Sequence, residues 1–129
     1  MIYTIKSGKR VEFIDITDLV LQSLRESRVS HGMVNVFVPH TTAGATINEN
    51  SDPNVVEDMI NWLGRLVPAS EEFRHLEGNS DAHIKATLVG SSVNIPFNDS
   101  ELNLGVWQAV YFCEFDGPRK RNVVISVIG

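Results

Sequence analysis

The chain has 129 residues and a net charge of −5, because 16 acidic side chains outnumber 11 basic ones. This length suits one domain, residues 1–129, that buries roughly two-thirds of its surface on folding, and 43% apolar residues supply a core without metal or disulfide staples. The acidity disfavours nucleic-acid binding, which depends on phosphate neutralisation, and the single cysteine excludes an intramolecular disulfide and suits a reducing compartment.

The first third of the chain predicts two strands and a helix. Residues 2–5 and 11–16 are typical of strands and are joined around a turn at residues 7–9. Thr17 offers an N-cap hydroxyl to an amphipathic helix of about three turns. This helix ends before His31, which we assign at the helix exit as a partner of the C-terminal helix dipole or as a turn residue.

The middle third predicts a strand, a polar segment and a long helix. Alternating valines from Val34 to Val38 predict a strand that ends at Pro39. The Thr- and Asn-rich residues 40–50 are expected to lie between regular elements. Asp52-Pro53 is a strong helix start, and apolar residues repeat at helical spacing up to Pro68.

The last third predicts a short helix and three strands. The helix runs from Asp81 to Val89, with Ile84 and Leu88 facing inward. Residues 92–97, 102–116 and 122–128 predict strands in an antiparallel meander. Strands interleaved with three helices indicate an α+β fold with mostly antiparallel sheet, two main helices and one short helix.

The strand predicted over residues 102–116 contains a carboxylate, a tryptophan and the single cysteine. Glu114 has apolar neighbours and needs a partner, and Arg119 is the nearest cation in sequence, so we predict a Glu114–Arg119 ion pair. On the opposite face, Trp107 and Cys113 are predicted in the core. No base is placed to activate the cysteine, which predicts an inert thiol.

No stretch approaches 18 consecutive apolar residues, and residues 1–6 lack the apolar run of a signal peptide. We therefore expect a soluble, cytoplasmic protein with no membrane partner.

Three of the four histidines lie in polar segments between regular elements. His40 follows a strand end, His75 lies in a loop, and His83 comes near the start of the short helix. Three imidazoles and a coordinated water are what an open catalytic zinc site needs. Glu49 and Asp81 are the nearby carboxylates for acid–base or ligand-orienting roles. The spacing is not diagnostic, because it lacks the i, i+4 geometry of a His-Glu-x-x-His helix. Each histidine could instead cap a loop or bond a carbonyl group.

The segment before the short helix could cradle an anion, because glycine lets the backbone approach a ligand and a helix N-terminus presents unpaired N–H groups. Lys85 would then balance phosphate charge. The candidate ligand-binding side chains are Thr41, Asn48, Asn79, Ser80, Lys85, Gln108 and Arg119. The alternative is a plain loop-to-helix cap, which is the commoner use of such a segment.

Three stretches together resemble the YjbQ-like family of small, largely uncharacterised proteins. They are His40-Thr41-Thr42-Ala43-Gly44 with residues 48–53, then residues 75–83, and finally residues 102–119. The sequence departs from the family pattern at two positions. Val106 stands where the family usually has threonine before Trp-Gln, and Ser100 stands in place of a turn glycine.

The resemblance implies a homotrimer of the YjbQ-like fold with a polar site close to a subunit boundary. That site would be lined by His40, His75, His83 and the segment around Glu49. The resemblance also implies weak thiamine-phosphate synthase activity, which joins a pyrimidine pyrophosphate to a thiazole phosphate with loss of pyrophosphate.

The cofactor is left open by these observations. Pyrophosphate ordinarily calls for Mg²⁺, whereas three histidines suit Zn²⁺ or Mn²⁺ better. A phosphate held directly by histidines, Lys85 and backbone N–H groups is a third arrangement. Our leading hypothesis is an enzyme acting on a small phosphorylated or pyrophosphorylated molecule. The alternative is a non-enzymatic trimer that binds a metal ion or a small anionic metabolite.

Overall fold

A computed structural model describes residues 1–69 and 72–129. The helices are α1 (Thr17–Ser27), α2 (Pro53–Leu66) and α3 (Ser80–Val89). The strands are β1 (Ile2–Lys6), β2 (Glu12–Asp15), β3 (His31–Phe37), β4 (Ala43–Glu49), β5 (Ser92–Asn98), β6 (Glu101–Leu102), β7 (Gln108–Glu114) and β8 (Lys120–Ile128).

The strands form two antiparallel sheets, which confirms a mixed fold of helices and antiparallel strands. One sheet has the order β1-β8-β3-β5-β6, and the other has the order β2-β7-β4. The main core lies between them and includes Leu24 of α1, Val36 of β3 and Phe112 of β7, all fully buried. A second cluster covers the opposite face of β7, where Tyr111 and Cys113 pack with Ala86 of α3. Strand β7 is therefore buried on both faces.

The predicted meander is wrong, because β5, β7 and β8 do not pair with one another. Strand β5 lies between β3 and β6, β7 between β2 and β4, and β8 between β1 and β3. The first two strands also do not form a hairpin with each other, since β1 pairs with β8 and β2 with β7. Residues 102–116 are not one strand, because residues 103–107 separate β6 from β7.

The polar segment after Pro39 contains β4, a strand that the sequence pattern did not predict. Its first residues are small and buried, and a Cβ on Gly44 would lie 2.5 Å from the carbonyl oxygen of Gly90. The glycine therefore lets the end of α3 approach the sheet. The Gly90 carbonyl also accepts a hydrogen bond from the backbone N–H of Ala45.

The helices differ from the predictions at their faces and ends. Asp52 caps α2 through a bond from the N–H of Asn54, as predicted. Thr17 is the first residue of α1 and not its N-cap, and His31 opens β3 and does not lie in a turn. Helix α3 presents Asp81, Ala82, Lys85 and Ala86 to the protein. Ile84 and Leu88 consequently face outward, contrary to prediction.

Within the described ranges, no helix is long and apolar enough to cross a membrane.

Candidate functional site

A cavity of about 640 Å³ collects several of the predicted site residues. It lies where the end of β3, the start of α3 and the connection from β7 to β8 meet. Its polar and charged lining residues are His40, Thr41, Thr42, Glu77, Asn79, His83, Ser91, Asp116, Arg119 and Arg121. Residues from distant parts of the sequence thus share one concave surface, and we call it the arginine cavity.

His40 accepts a backbone hydrogen bond through one ring nitrogen and has the other available as a donor to the cavity. The backbone N–H of Asn122 donates to His40 Nε2 over 2.8 Å, so Nε2 carries no proton and the neutral ring holds its proton on Nδ1. Burial lowers the pKa of His40, and the positive charge of Arg121 lowers it further. His40 therefore stays neutral to a lower pH than a free histidine and keeps an Nδ1–H available.

Arg121 is held in place by a buried ion pair with Glu114. The guanidinium donates Nε and Nη2 to the carboxylate, and Nη2 also donates to the carbonyl and hydroxyl oxygens of Thr42. Burial alone would raise the pKa of Glu114, but hydrogen bonds from Arg121 and Ser7 outweigh it and hold the pKa below its usual value. The predicted Glu114–Arg119 pair is therefore wrong.

Arg119 pairs with Asp116 instead. Its Nε donates to the Asp116 backbone carbonyl over 2.9 Å, and its Nη2 donates to Oδ2 of the carboxylate over 3.1 Å. Asn79 donates Nδ2 to the same Oδ2 over 2.9 Å. In the part of the chain that the structure describes, Asn79 Oδ1 is the one buried side-chain nitrogen or oxygen without a hydrogen-bond partner.

Lys85 and Asp81, predicted for phosphate binding and acid–base chemistry, lie outside the arginine cavity. Lys85 is buried and donates to Asp81 over 3.2 Å, and Arg10 donates two bonds of 3.0 Å to the same carboxylate. The bonds from Arg10, followed by that from Lys85, outweigh burial and lower the pKa of Asp81. Both groups are thus engaged in an ion-pair network that fixes α3. Ser80 opens that helix and does not line the cavity either.

Asn48, Glu49 and Gln108 lie in a separate cavity of about 260 Å³. The side chain of Gln108 is occupied there by a bond from the backbone N–H of Gly105 to its Oε1, over 2.7 Å. Trp107 lines the same cavity and is 63% exposed, so the prediction that it lies in the core is wrong. Within one copy of the chain, Asn48, Glu49 and Gln108 therefore line a different cavity from His40 and His83.

The three predicted metal ligands do not form a set of the kind a metal needs. The rings of His75 and His83 stand edge to face with their centroids 5.4 Å apart. His40 has already used Nε2 as an acceptor, and binding a metal through Nδ1 would place the remaining proton against the Asn122 N–H. Across residues 1–69 and 72–129, no three His, Cys, Asp or Glu side chains are grouped as metal ligands. Within the described residues, the structure therefore gives no support to a metal site built from the three predicted histidines.

Sequence reasoning missed Arg121 and Asp116 as cavity residues. Arg121 was assigned no role from the sequence, although this residue alternates in phase with Val123 and Ile125, which are buried. That alternation is a usable signal that the arginine points inward. Asp116 carried no comparable signal.

Comparison with known proteins places this architecture in a family. The model of the family described as UPF0047 protein YjbQ-like matches residues 1–129. A UPF0047 protein of Methanocaldococcus jannaschii is 52% identical over 98% of this chain and 92% of its own length. The UPF0047 protein YugU of Bacillus subtilis is 47% identical over 97% of this chain and 96% of its own.

A solved structure supports the same assignment. A crystal structure of an uncharacterized protein of the YjbQ/UPF0047 family from Clostridium acetobutylicum is 51% identical, covers 99% of each chain and superposes with a TM-score of 0.98. The chain belongs to the YjbQ-like UPF0047 family.

Proposed function

We propose that this YjbQ-like protein binds a small phosphorylated or pyrophosphorylated metabolite in the arginine cavity, directly through side chains and without a metal ion. The observation that carries the proposal is the pairing of the two arginines. Glu114 binds Nε and Nη2 of Arg121 through its carboxylate, whereas Asp116 binds Nε of Arg119 through its backbone carbonyl and Nη2 through its carboxylate. No hydrogen bond within the described residues engages either Nη1. Both arginines line the cavity.

The remaining donors favour an anion as well. His40 offers Nδ1–H, and Thr41 offers an exposed hydroxyl at the same cavity. Of the two carboxylates that line the cavity, Asp116 accepts a bond from Arg119 and Glu77 remains as a negative charge, while Glu114 holds Arg121 from outside the lining. Phosphate oxygens accept hydrogen bonds and bind well to preoriented arginine. An anion in the cavity would thus meet hydrogen-bond donors on two arginines that Asp116 and Glu114 hold in place.

We favour a reaction in which the organic part of the bound metabolite is transferred to an acceptor or to water, with phosphate or pyrophosphate as the leaving group. Arg119 and Arg121 would stabilise charge on the leaving oxygens, and His83 is the cavity imidazole positioned to deliver a proton. Asp81 is not proposed for this role because Arg10 and Lys85 already hold its carboxylate. Thiamine-phosphate synthesis, which releases pyrophosphate, is a reaction of this class and is the first activity to assay.

Assembly into a homotrimer would account for the second set of site residues. Glu49 and Trp107 line their own cavity, and Trp107 and its chain neighbour Val106 are 63% and 91% exposed. Exposed apolar side chains of this size favour contact with another protein surface. We propose that a neighbouring copy brings its Glu49 segment to the arginine cavity. Mixing inactive Glu49→Gln and His83→Asn chains should then restore part of any activity, and unrestored activity in confirmed mixed trimers would contradict the shared site.

The binding proposal is tested by titrating metal-free protein with pyrophosphate and measuring heat. Arg119→Met should weaken binding by roughly tenfold or more, the usual loss for a charge-assisted contact. Lys120→Met removes the same charge from the adjacent, exposed position and is the matched control. Equal binding by both variants would contradict the site. Binding only after addition of Zn²⁺ or Mn²⁺ would replace the metal-free arrangement with a metal-dependent one.

Turnover decides between an enzyme and a binding module. The two thiamine precursors are incubated with wild-type protein and with His83→Asn, and release of pyrophosphate is measured. Product that depends on His83 supports the enzyme. Pyrophosphate binding with no turnover at any protein concentration would instead support a module that holds an anionic metabolite.

A further inference from the structure

We propose that the ligand of the arginine cavity carries a compact, uncharged organic group, and that this group occupies an adjoining cavity between the start of β4 and the exposed side of α3. This inference rests on the proposed phosphate site and adds the part of the ligand that phosphate alone does not define. The adjoining cavity has a volume of about 440 Å³ and is called here the neutral cavity.

The two cavities are continuous. His40, Thr41, His83 and Ser91 line both of them. A molecule bound to the arginines therefore has a direct path into the second space. The shared residues stand at the boundary, so both imidazoles would face the bond that joins the phosphoryl group to the rest of the ligand.

The chemistry of the lining changes across that boundary. Every arginine and carboxylate of the arginine cavity lies on one side, and apart from its histidines the neutral cavity has no ionisable side chain among its described lining residues. Its own residues are small: Ala43, Ala86, Thr87 and Gly90. A charged group placed there would lose water without gaining a partner, whereas an uncharged ring or chain would bury apolar surface at little cost.

The backbone keeps the neutral cavity open. A Cβ added at Gly90 would meet nothing within 4 Å, so the end of α3 borders free space. Thr87 uses its hydroxyl to donate to the His83 carbonyl over 2.9 Å, which turns its methyl group away from that bond. Pockets that bind small ligands combine such apolar space with a few fixed polar groups. The pair of cavities supplies both.

Three probes test the inference in metal-free protein: inorganic phosphate, phenyl phosphate and phosphocholine. Phenyl phosphate should bind roughly tenfold more tightly than inorganic phosphate, because its ring leaves water. Phosphocholine has a cationic group and should gain nothing over phosphate. Phenyl phosphate no tighter than phosphate, or phosphocholine tighter than phenyl phosphate, would overturn the proposal.

Variants at Thr87 assign the gain to this cavity. Thr87→Phe and the smaller Thr87→Leu should fill the space and reduce phenyl phosphate binding to the level of phosphate, while phosphate binding stays unchanged. Thr87→Val removes the hydroxyl without filling the cavity and should retain the preference, and Leu88→Phe adds a ring at the neighbouring exposed residue. Unchanged phenyl phosphate binding in folded Thr87→Leu would refute the neutral cavity. Failure of all three probes to bind would instead refute the phosphate site on which it rests.

Discussion

Arg121 links the core of the molecule to the arginine cavity. The side chain is 4% exposed, and its bonds to Glu114 and Thr42 join β8, β7 and the segment before β4. Glu114 has no exposed surface and also accepts bonds from the hydroxyl of Ser7 and the N–H of Asp116. One ion pair therefore orients a guanidinium that lines the arginine cavity and ties the two sheets together.

Removing the cation alone should destabilise the protein strongly. Arg121→Met leaves the Glu114 carboxylate buried without its countercharge, which typically costs about 3–5 kcal/mol. Urea unfolding measures the free energy. The double variant Glu114→Gln with Arg121→Met should recover part of the loss, because no charge is then left buried. A double variant less stable than the single one would show that the pair itself, and not the stranded charge, provides the stability.

Ser100 is a second residue whose identity matters locally. Asp99 and Ser100 join β5 to β6 with φ values of 51° and 61°, the left-handed pair of a type I′ hairpin turn. The resemblance to the family predicted a glycine at Ser100, and the positive φ gives the physical reason. The N–H of Ser100 donates to the Ser30 carbonyl, a bond that glycine would keep.

Ser100→Gly should therefore raise the free energy of unfolding by about 0.5–1 kcal/mol, since glycine adopts the left-handed region without the Cβ clash. Thermal and urea unfolding measure the change. Ser92→Gly, in the exposed start of β5, is the control and should lower stability instead. A loss of stability in Ser100→Gly would mean that the serine hydroxyl has an unrecognised role in the turn.

At the scale of elements, α3 is anchored by charge more than by apolar contact. Its buried residues include Asp81 and Lys85 beside two alanines, and Arg10 reaches the same carboxylate from outside the helix. This network sets which face of α3 meets the sheet. It thereby determines that His83 faces both cavities while Thr87 borders the neutral one.

Asp81→Asn should loosen this anchor. The Lys85 ammonium would remain buried without a carboxylate, at a cost of about 3–5 kcal/mol, and the double variant with Lys85→Met should be less affected. Asp58→Asn alters an exposed carboxylate of α2 and should change stability by no more than about 0.5 kcal/mol. Equal effects of Asp81→Asn and Asp58→Asn would contradict the anchoring role.

The same elements show what local patterns can predict. Helix α2 was predictable because Asp52-Pro53 starts it and its apolar residues repeat at helical spacing. Strand β4 was not, since Ala43, Gly44 and Ala45 are small and give no hydrophobic alternation. The inward face of α3 was misjudged because two charged residues are buried as partners, and a pattern that counts apolar residues places them outside.

Across the whole molecule, pairing between distant strands decides where the site lies. His40 follows β3, and its partner Asn122 belongs to β8, 82 residues later. Sequence reasoning found His40, His83 and Thr41 from their polar surroundings, and these do line one cavity. It could not separate them from Glu49 and Gln108, because strand order assigns those residues to another cavity.

The molecule as a whole should lose stability in acid in two stages. The pKa of His40 is lowered in the folded state by burial and by Arg121, so the unfolded chain takes up that proton first as the pH falls below about 6.5. The contribution of neutral His40 to the free energy of unfolding is therefore fully present above that pH and is lost as the pH falls below it. The pKa values of Asp81 and Glu114 are also lowered in the folded state, by their arginine and lysine partners against the effect of burial. Their contribution is present above about pH 4.5 and is lost as the pH falls through the folded values.

Urea unfolding at pH 7.5, 5.5 and 3.5 separates the two stages. Replacing His40 by Gln, which keeps an acceptor for the Asn122 N–H, should flatten the decline between pH 7.5 and 5.5 and leave the steeper loss below it. Replacing Asp81 by Asn should reduce only that steeper loss. The exposed His31 opens β3 at the other end from the cavity, and His31→Gln is the control for the first stage. An unchanged slope in His40→Gln, or a flattened one in His31→Gln, would show that protonation of His40 is not what lowers stability between pH 7.5 and 5.5.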